Sequence, residues 1–402
     1  MKQIASNIAN CTGCRACVEI CPKQCISMEP DSMGRLLPHV DQNSCVECNK
    51  CVKTCPVNNP QAQNYPHHCY VGWSKDDITR SKSASGGVAA EIYKYAVNHN
   101  VFTAGVEWSR ENGACFISVN NLSDIERVQN SKYVYSNTRG IYKQVKLALK
   151  SGKKAIFIGL PCQVAALKNY LGKDEDNLLT VDIICHGVAP AEFLMQHLSS
   201  IEKKKKHKTT RLFFRDPAYY TYTYTFTLYD KQKVFWEKTA YSNDVYQHGY
   251  HRSLTYNSNC YLCQYACSNR VGDITLGDFA GLGKVESFEL EKHNVSCILC
   301  NTEKGSQLLN AIKDQVCLME RPLKEALAFE PQLEHPSIPH KRRNVFIDSF
   351  STSRNFEKSA YKALRVDILR VQARKLVYLL FLRMIPVSFK VYVKNLIHGS
   401  RK

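Results

Sequence analysis

The chain has 402 residues, 44% of them hydrophobic, which is enough to bury two or three cores and excludes a disordered polymer. Its net charge of +18 is uneven: from Ser353 to Lys402 twelve Lys/Arg stand against Glu357 and Asp367, so much of the excess belongs to the tail. The 19 cysteines would suit a disulfide scaffold in a short secreted chain, but Met1 to Asn10 lacks an apolar signal stretch; a reducing, cytoplasmic setting is expected, where regularly spaced thiols serve as metal ligands.

Cys11, Cys14, Cys17 and Cys21 stand at C-x2-C-x2-C-x3-C followed by Pro22, and Cys45, Cys48, Cys51 and Cys55 repeat the spacing before Pro56. This is the bacterial 4Fe-4S run, twice. The first three thiolates of a run wrap one cluster from a tight loop, and the fourth reaches the other cluster. The expected sets are therefore Cys11, Cys14, Cys17 and Cys55 on one cluster, and Cys45, Cys48, Cys51 and Cys21 on the second. A pair of zinc knuckles is the alternative. Cys25 falls outside the pattern and reads as a core thiol. Residues 1–63 form this module, and Asn58-Asn59-Pro60-Gln61 reads as the linker out of it.

Strands and helices then alternate, the pattern of an α/β body. Strands are predicted at Cys69–Trp73, Val101–Trp108, Cys115–Val119, Lys154–Gly159, Leu178–Cys185, Asp273–Leu276 and Val295–Asn301, and helices at Gly87–Asn98, Gly140–Lys150, Gln163–Leu171 and from Ala191. Tyr220–Leu228 alternates Tyr/Phe with Thr as an antiparallel strand does, and Glu202–Lys208 reads as a solvated loop. The Tyr-rich strand lacks an Arg/Lys stripe, so no specific nucleic-acid partner is expected. Cys69, Cys115, Cys297, Cys300 and Cys317 read as buried hydrophobes. Neither a dinucleotide fingerprint nor a P-loop occurs.

Several short motifs follow in order: Ser83-Ala84-Ser85-Gly86-Gly87, Ser131-Lys132-Tyr133-Val134, Gly159-Leu160-Pro161-Cys162, Asp182-Ile183-Ile184-Cys185-His186-Gly187, Cys260-x2-Cys263 and Gly272-Asp273-Ile274-Thr275-x-Gly277-Asp278. In this order, from about Tyr65 to Arg343 and behind a two-cluster module, the chain resembles the beta subunits of deazaflavin (coenzyme F420) hydrogenases and dehydrogenases. The resemblance implies a flavin-binding body in two parts, residues 64–150 and 151–343, with FAD beside one further 4Fe-4S cluster. The ligands it implies for that cluster are Cys162, Cys185, Cys260 and Cys263, with zinc or free thiols as alternatives and Cys267 as a spare. Ser83, Ser85, Gly86 and Gly87 before a helix suit a flavin phosphate, and Lys132, Tyr133, Asp273, Thr275, Gly277 and Asp278 could border the same pocket. His186 is a weak candidate for a proton donor.

The function implied is an oxidoreductase that takes electrons from a redox partner protein or low-potential donor, passes them through the clusters to FAD, and reduces a small-molecule substrate. Similar proteins look like parts of polysaccharide biosynthesis systems, and a deazaflavin substrate stays open. The alternative is an adaptor subunit that relays electrons to a catalytic partner. The module and the body are expected to be separable. Residues 344–402 are expected to form a basic helical tail, in which Arg354, Lys358, Lys362 and Arg365 oppose Tyr361, Leu364, Ile368 and Val371; it could rest on an anionic membrane surface at the cytoplasmic face. Leu376–Leu382 is too short to span a bilayer, and Arg383 and Pro386 interrupt it.

Overall fold

A computed structural model describes residues 3–240 and 242–384, with side chains through Arg374. The backbone of the N-terminal module repeats as its cysteines do. In each half a left-handed residue, Arg15 (φ 64°) or Asn49 (φ 58°), closes the C-x2-C loop and opens a short helix, Ala16–Ile20 or Lys50–Thr54. Each helix carries the third cysteine of its run and stops at the fourth, Cys21 or Cys55, both at φ −68°. Pro22 and Pro56 impose the stop, because a residue before proline is driven out of the helical region. An antiparallel hairpin of β1 (Ile26–Pro30) and β2 (Leu36–Val40) joins the halves, with Ile26 opposite Val40.

The body is built on one mixed sheet. Its strands in chain order are β3 (His68–Ser74), β4 (Phe102–Ser109), β5 (Gly113–Ser118), β6 (Ala155–Gly159) and β7 (Leu178–Ile183). A separate three-stranded sheet intervenes, made of β8 (Arg211–Phe213), β9 (Thr225–Asp230) and β10 (Lys233–Thr239); β11 (Ile274–Asp278), β12 (Ser296–Cys300) and β13 (Val316–Arg321) complete the large one. The spatial order is β13-β3-β12-β11-β7-β6-β4-β5. The four strands β11, β7, β6 and β4 are parallel, and the flanking pairs are antiparallel.

The apolar run of β6 shows how the sheet is covered. Ile156 and Ile158 join a core with Val88, Ile92 and Tyr93 of helix Val88–Asn98 and with Leu308 and Leu309 of helix Glu303–Ala311. Ala155 and Phe157 point the other way, into a core with Tyr142 and Val145 of helix Ile141–Lys150 and Val164 and Leu167 of helix Pro161–Leu171. Period-two alternation thus places helices on both faces. Cys69, Cys115, Cys297 and Cys300 are packed in these layers, whereas Cys317 is only half-buried.

The N-terminal module is docked on the second helical face. Ala16 is fully buried in the core around Tyr142 and Phe157. Glu19 sits at the start of helix Ile141–Lys150, accepting from Thr138 Oγ1 (2.7 Å), the Gly140 amide (3.1 Å) and the Lys143 amide (3.3 Å). A carboxylate there satisfies free amides and complements the helix dipole. Tyr135 donates its hydroxyl to the Gly13 carbonyl at 2.7 Å.

The three-stranded sheet packs with helices Ala191–Lys205, Val245–His251, Arg343–Ser353 and Phe356–Met384. Phe193 lies at the centre, its ring 4.9–5.4 Å from those of Phe346, Phe350 and Phe356. Two expectations are corrected here. The Tyr-rich strand begins only at Thr225, since Tyr220 and Tyr224 both take positive φ (62° and 52°) around a 3-10 turn. The lysine run is helical through Lys205, because Ile201 holds that last turn against the core.

The tail reading also changes. Phe356, Ala360, Ala363, Leu364 and Ile368 are buried against the body, while Tyr361 is exposed. Leu364 and Ile368 of the stripe assigned to a membrane surface are therefore spent on the protein's own core. The side chains of Leu376–Leu382 and residues 385–402, including Pro386, lie outside the described residues. Among the described residues no helix is long and apolar enough to cross a membrane.

His197 joins this tail helix to the lobe. Its Nε2 is 3.1 Å from Asp244 Oδ2, and its Nδ1 bonds Glu357 Oε1. Burial disfavours the imidazolium, but the two carboxylates outweigh it and raise the group to about 10. The stabilisation is full below the unfolded value of about 6.5 and is lost as pH rises through the folded one. Urea unfolding should accordingly show a midpoint that falls between about pH 6.5 and pH 10, and His197→Gln should flatten that decline.

Candidate functional site

The module encloses two cysteine-lined cavities of about 20 Å³ each. One is lined by Cys11, Cys14, Cys17 and Cys55, the other by Cys21, Cys45, Cys48 and Cys51. The fourth cysteine of each run thus lies with the first three of the other. Cys25 is not a core thiol: it lines the second cavity, with its Sγ 3.5 Å from that of Cys21.

A third cavity, of about 90 Å³, lies at the C-terminal edge of the parallel strands, where open α/β sheets place their sites. Cys162 comes from the first turn of the helix after β6, Cys185 from the segment after β7, and Cys260 and Cys263 from the 3-10 turn Ser258–Leu262 and the residue beyond it. Asn10, Thr12, Cys14 and Val57 of the module close the same cavity. Removing the module would open this wall, which weighs against the expected separability. Cys267 is outside the lining; its thiol donates to Gln63 Oε1 at 3.2 Å.

Four thiols lining one space are a donor set that a 4Fe-4S cluster takes, and zinc takes the same set. Two buried polar atoms lining the cavity, Thr12 Oγ1 and Asn259 Oδ1, have no hydrogen-bond partner within the protein. Burial pushes the thiols of Cys14 and Cys260 up to about 12 and those of Cys162 and Cys185 well up, neighbouring thiols adding to the effect. Such thiols become ligands when a bound cation compensates the buried charge.

One buried ion pair holds the cavity together. Arg270, 2% exposed, donates Nη2 to Asp182 Oδ1 at 2.9 Å; Asp182 also accepts from Thr275 Oγ1 (2.7 Å) and the Gly272 amide (2.9 Å). The same guanidinium reaches the carbonyls of Tyr265, Cys267 and Ile183. It thus ties the loop bearing Cys263 to the strand end that leads to Cys185.

Beside the cavity a polar and aromatic cluster of side chains gathers some of the flavin candidates. Asp278, at the end of β11, accepts from Arg215 Nη1 and Tyr224 Oη, both at 2.7 Å, and Arg215 lies 4.1 Å over the Tyr224 ring. Tyr133 stacks on Tyr250 (4.8 Å) and meets His251 edge-on (5.4 Å). Burial lowers Lys132 to about 7. His186 is half-exposed next to Cys185, with Nε2 3.8 Å from the buried Glu330 Oε1. Burial raises the Glu330 carboxyl to about 7. Arg215, Tyr224, His251 and Glu330 carried no sequence signal, because they come from segments outside every motif.

Other candidates have structural work. Asp273 sits at the opposite end of β11, bonding the Thr180 amide and hydroxyl and Thr302 Oγ1. Thr275 is fully buried between Asp182, Arg270 and Asn301. Ser83 donates to the Thr79 carbonyl and Ser85 to that of Val295. The Gly86 amide donates to Ser296 Oγ, and a Cβ on Gly86 would come within 2.2 Å of the Gly72 carbonyl. That glycine is required by packing on β3. Gly277 is likewise pressed against Ile184.

Residues 10–59 match the family model of a 4Fe-4S dicluster domain, so the N-terminal module is of the iron-sulfur type. Residues 152–326 match the model for the C terminus of the coenzyme F420 hydrogenase/dehydrogenase beta subunit. Among solved structures, a chain of a xenon-derivatised F420-reducing nickel-iron hydrogenase complex from Methanosarcina barkeri is similar at 16% identity, over 76% of this chain and 92% of that one, with a TM-score of 0.42. No curated protein matches.

Loss of the carboxylate that compensates Arg270 should be costly. Asp182→Ala is expected to lower stability by about 3–5 kcal/mol, read as a fall in the urea midpoint.

Proposed function

We propose that the chain is a flavin- and iron-sulfur-dependent oxidoreductase with two 4Fe-4S clusters in the module, a third held by Cys162, Cys185, Cys260 and Cys263, and FAD beside the adjoining aromatic side chains. The observation that carries this reading is the shared cavity: four body thiols and Cys14 of the module line one space. That proximity suits electron passage between module and body without a mobile carrier.

A flavin there would exchange one electron at a time with clusters and two with substrate. Tyr133 and Tyr224 offer ring faces, while Arg215 offers positive charge for phosphate or for a reduced ring. Glu330 and His186 stand where a proton could be held beside the cavity. The substrate is a small molecule, with an intermediate of polysaccharide biosynthesis or a deazaflavin as the classes to try first. The family takes its name from a beta subunit, which favours a second reading in which the chain relays electrons to a catalytic partner.

Anaerobic reconstitution tests the assignment. The full chain should hold about twelve irons and one flavin, and Cys263→Ser about eight irons, with low-temperature EPR keeping the signals of the module. Unchanged iron in the variant, or stoichiometric zinc in the wild type, would remove the third cluster from the scheme.

A further inference from the structure

The two cysteine quartets of the module are not equivalent. Cys11, Cys17 and Cys55 are each no more than 9% exposed, and Cys14 faces the cavity of the body. In the other quartet Cys51 is buried at 8%, but Cys48 is exposed, Cys21 and Cys45 are half-buried, and every residue from Asp41 to Lys50 except Cys45 is exposed. One quartet is therefore turned inward and the other presented at a tip.

We propose that this tip, around Val46 and Cys48, is the docking face for a small acidic one-electron carrier protein, and that the chain is reduced there rather than at the flavin. The inference rests on the cluster assignment above and adds the partner and its place of contact. Val46 keeps 56% of its surface in water between two ligand candidates, an apolar contact of the kind found at the centre of transient redox interfaces. The space behind it is about 20 Å³, and its lining includes the four cysteines of the quartet and Cys25. That is far below the roughly 300–1,000 Å³ of a small-molecule site, so whatever delivers electrons here does so across the surface.

Charge selects the sign of the carrier. Lys23, Lys50 and Lys53 are exposed around the tip, and among the described residues none has an ion-pair partner. The nearby acids are Glu47, which is exposed, Asp41, which accepts from Ser44 Oγ at 2.6 Å, and Glu29, 3.8 Å from His39. An acidic surface is aligned here by the three lysines. In the transfer the carrier loses one electron and the exposed quartet's centre gains it; no bond changes and no proton moves.

Stopped-flow reduction of the reconstituted full chain by a reduced, acidic bacterial-type ferredoxin tests this, with dithionite as the small reductant. The wild-type rate constant should fall with added salt, and Val46→Glu with Lys50→Glu should lower it by about tenfold or more. Dithionite reduction and the EPR signals of the double variant should match wild type, which separates lost docking from lost folding. Equal ferredoxin rates in variant and wild type, or a wild-type rate indifferent to salt, would overturn the docking face while leaving the clusters in place. Absence of cluster signals from dithionite-reduced wild type would instead overturn the assignment on which the proposal stands.

Discussion

The buried pair of Arg270 and Asp182 is the constraint on which the rest of the site depends. Neither side chain has access to water, so each is tolerated only because the other, with Thr275, Gly272 and three carbonyls, satisfies it completely. The geometry this imposes is specific. It fixes the last residues of β7 relative to β11 and draws the loop from Cys263 to Cys267 onto the same edge. Hydrophobic packing alone would hold the layers but would not set that loop against the strand ends to within a hydrogen bond.

Around that tie the fold uses a familiar opportunity of parallel sheets. The ends of β6, β7 and β11 all open on one edge, and the working residues stand at or just past those ends: Cys162, Cys185 with His186, and Asp278 with the residues it holds. The side of the cavity left open by the body is filled by the cysteine module, whose inner loop is seated by Tyr135 and by the Glu19 cap. Strain marks the neighbouring aromatic side chains as well, since Tyr220 and Tyr224 hold positive φ, a conformation costly for bulky residues and concentrated at working sites.

How much of this could be read from the chain depends on how local the signal is. The module was legible residue by residue, because one loop, one helical turn and one proline set each cysteine, and the same spacing occurs twice. The four body cysteines are scattered over about a hundred residues and were legible only through resemblance to a family. Asp278 and Tyr133 come close to one another, but their partners Arg215, Tyr224 and His251 lie in segments with no motif. Ser85-Gly86-Gly87 is ambiguous in the opposite direction. A glycine pair before a helix looks the same whether it admits a phosphate or packs closely on a neighbouring strand, and here Gly86 packs on the Gly72 carbonyl. The apolar stripe of the tail was visible too, but periodicity does not distinguish a lipid surface from the protein's own core.

The wall that the module contributes to the body's cavity has a consequence for biogenesis. The module is made first and its ligands are contiguous, so it can fold before the rest of the chain emerges from the ribosome. The body's four thiols gather only after residues beyond 263 are synthesised and the Arg270 tie has formed, and their cavity is closed only once Asn10, Thr12, Cys14 and Val57 are in position. Maturation is thereby ordered along the polypeptide. A lesion in the earliest segment reaches the latest site, and the last compartment to be completed reports on the integrity of the first.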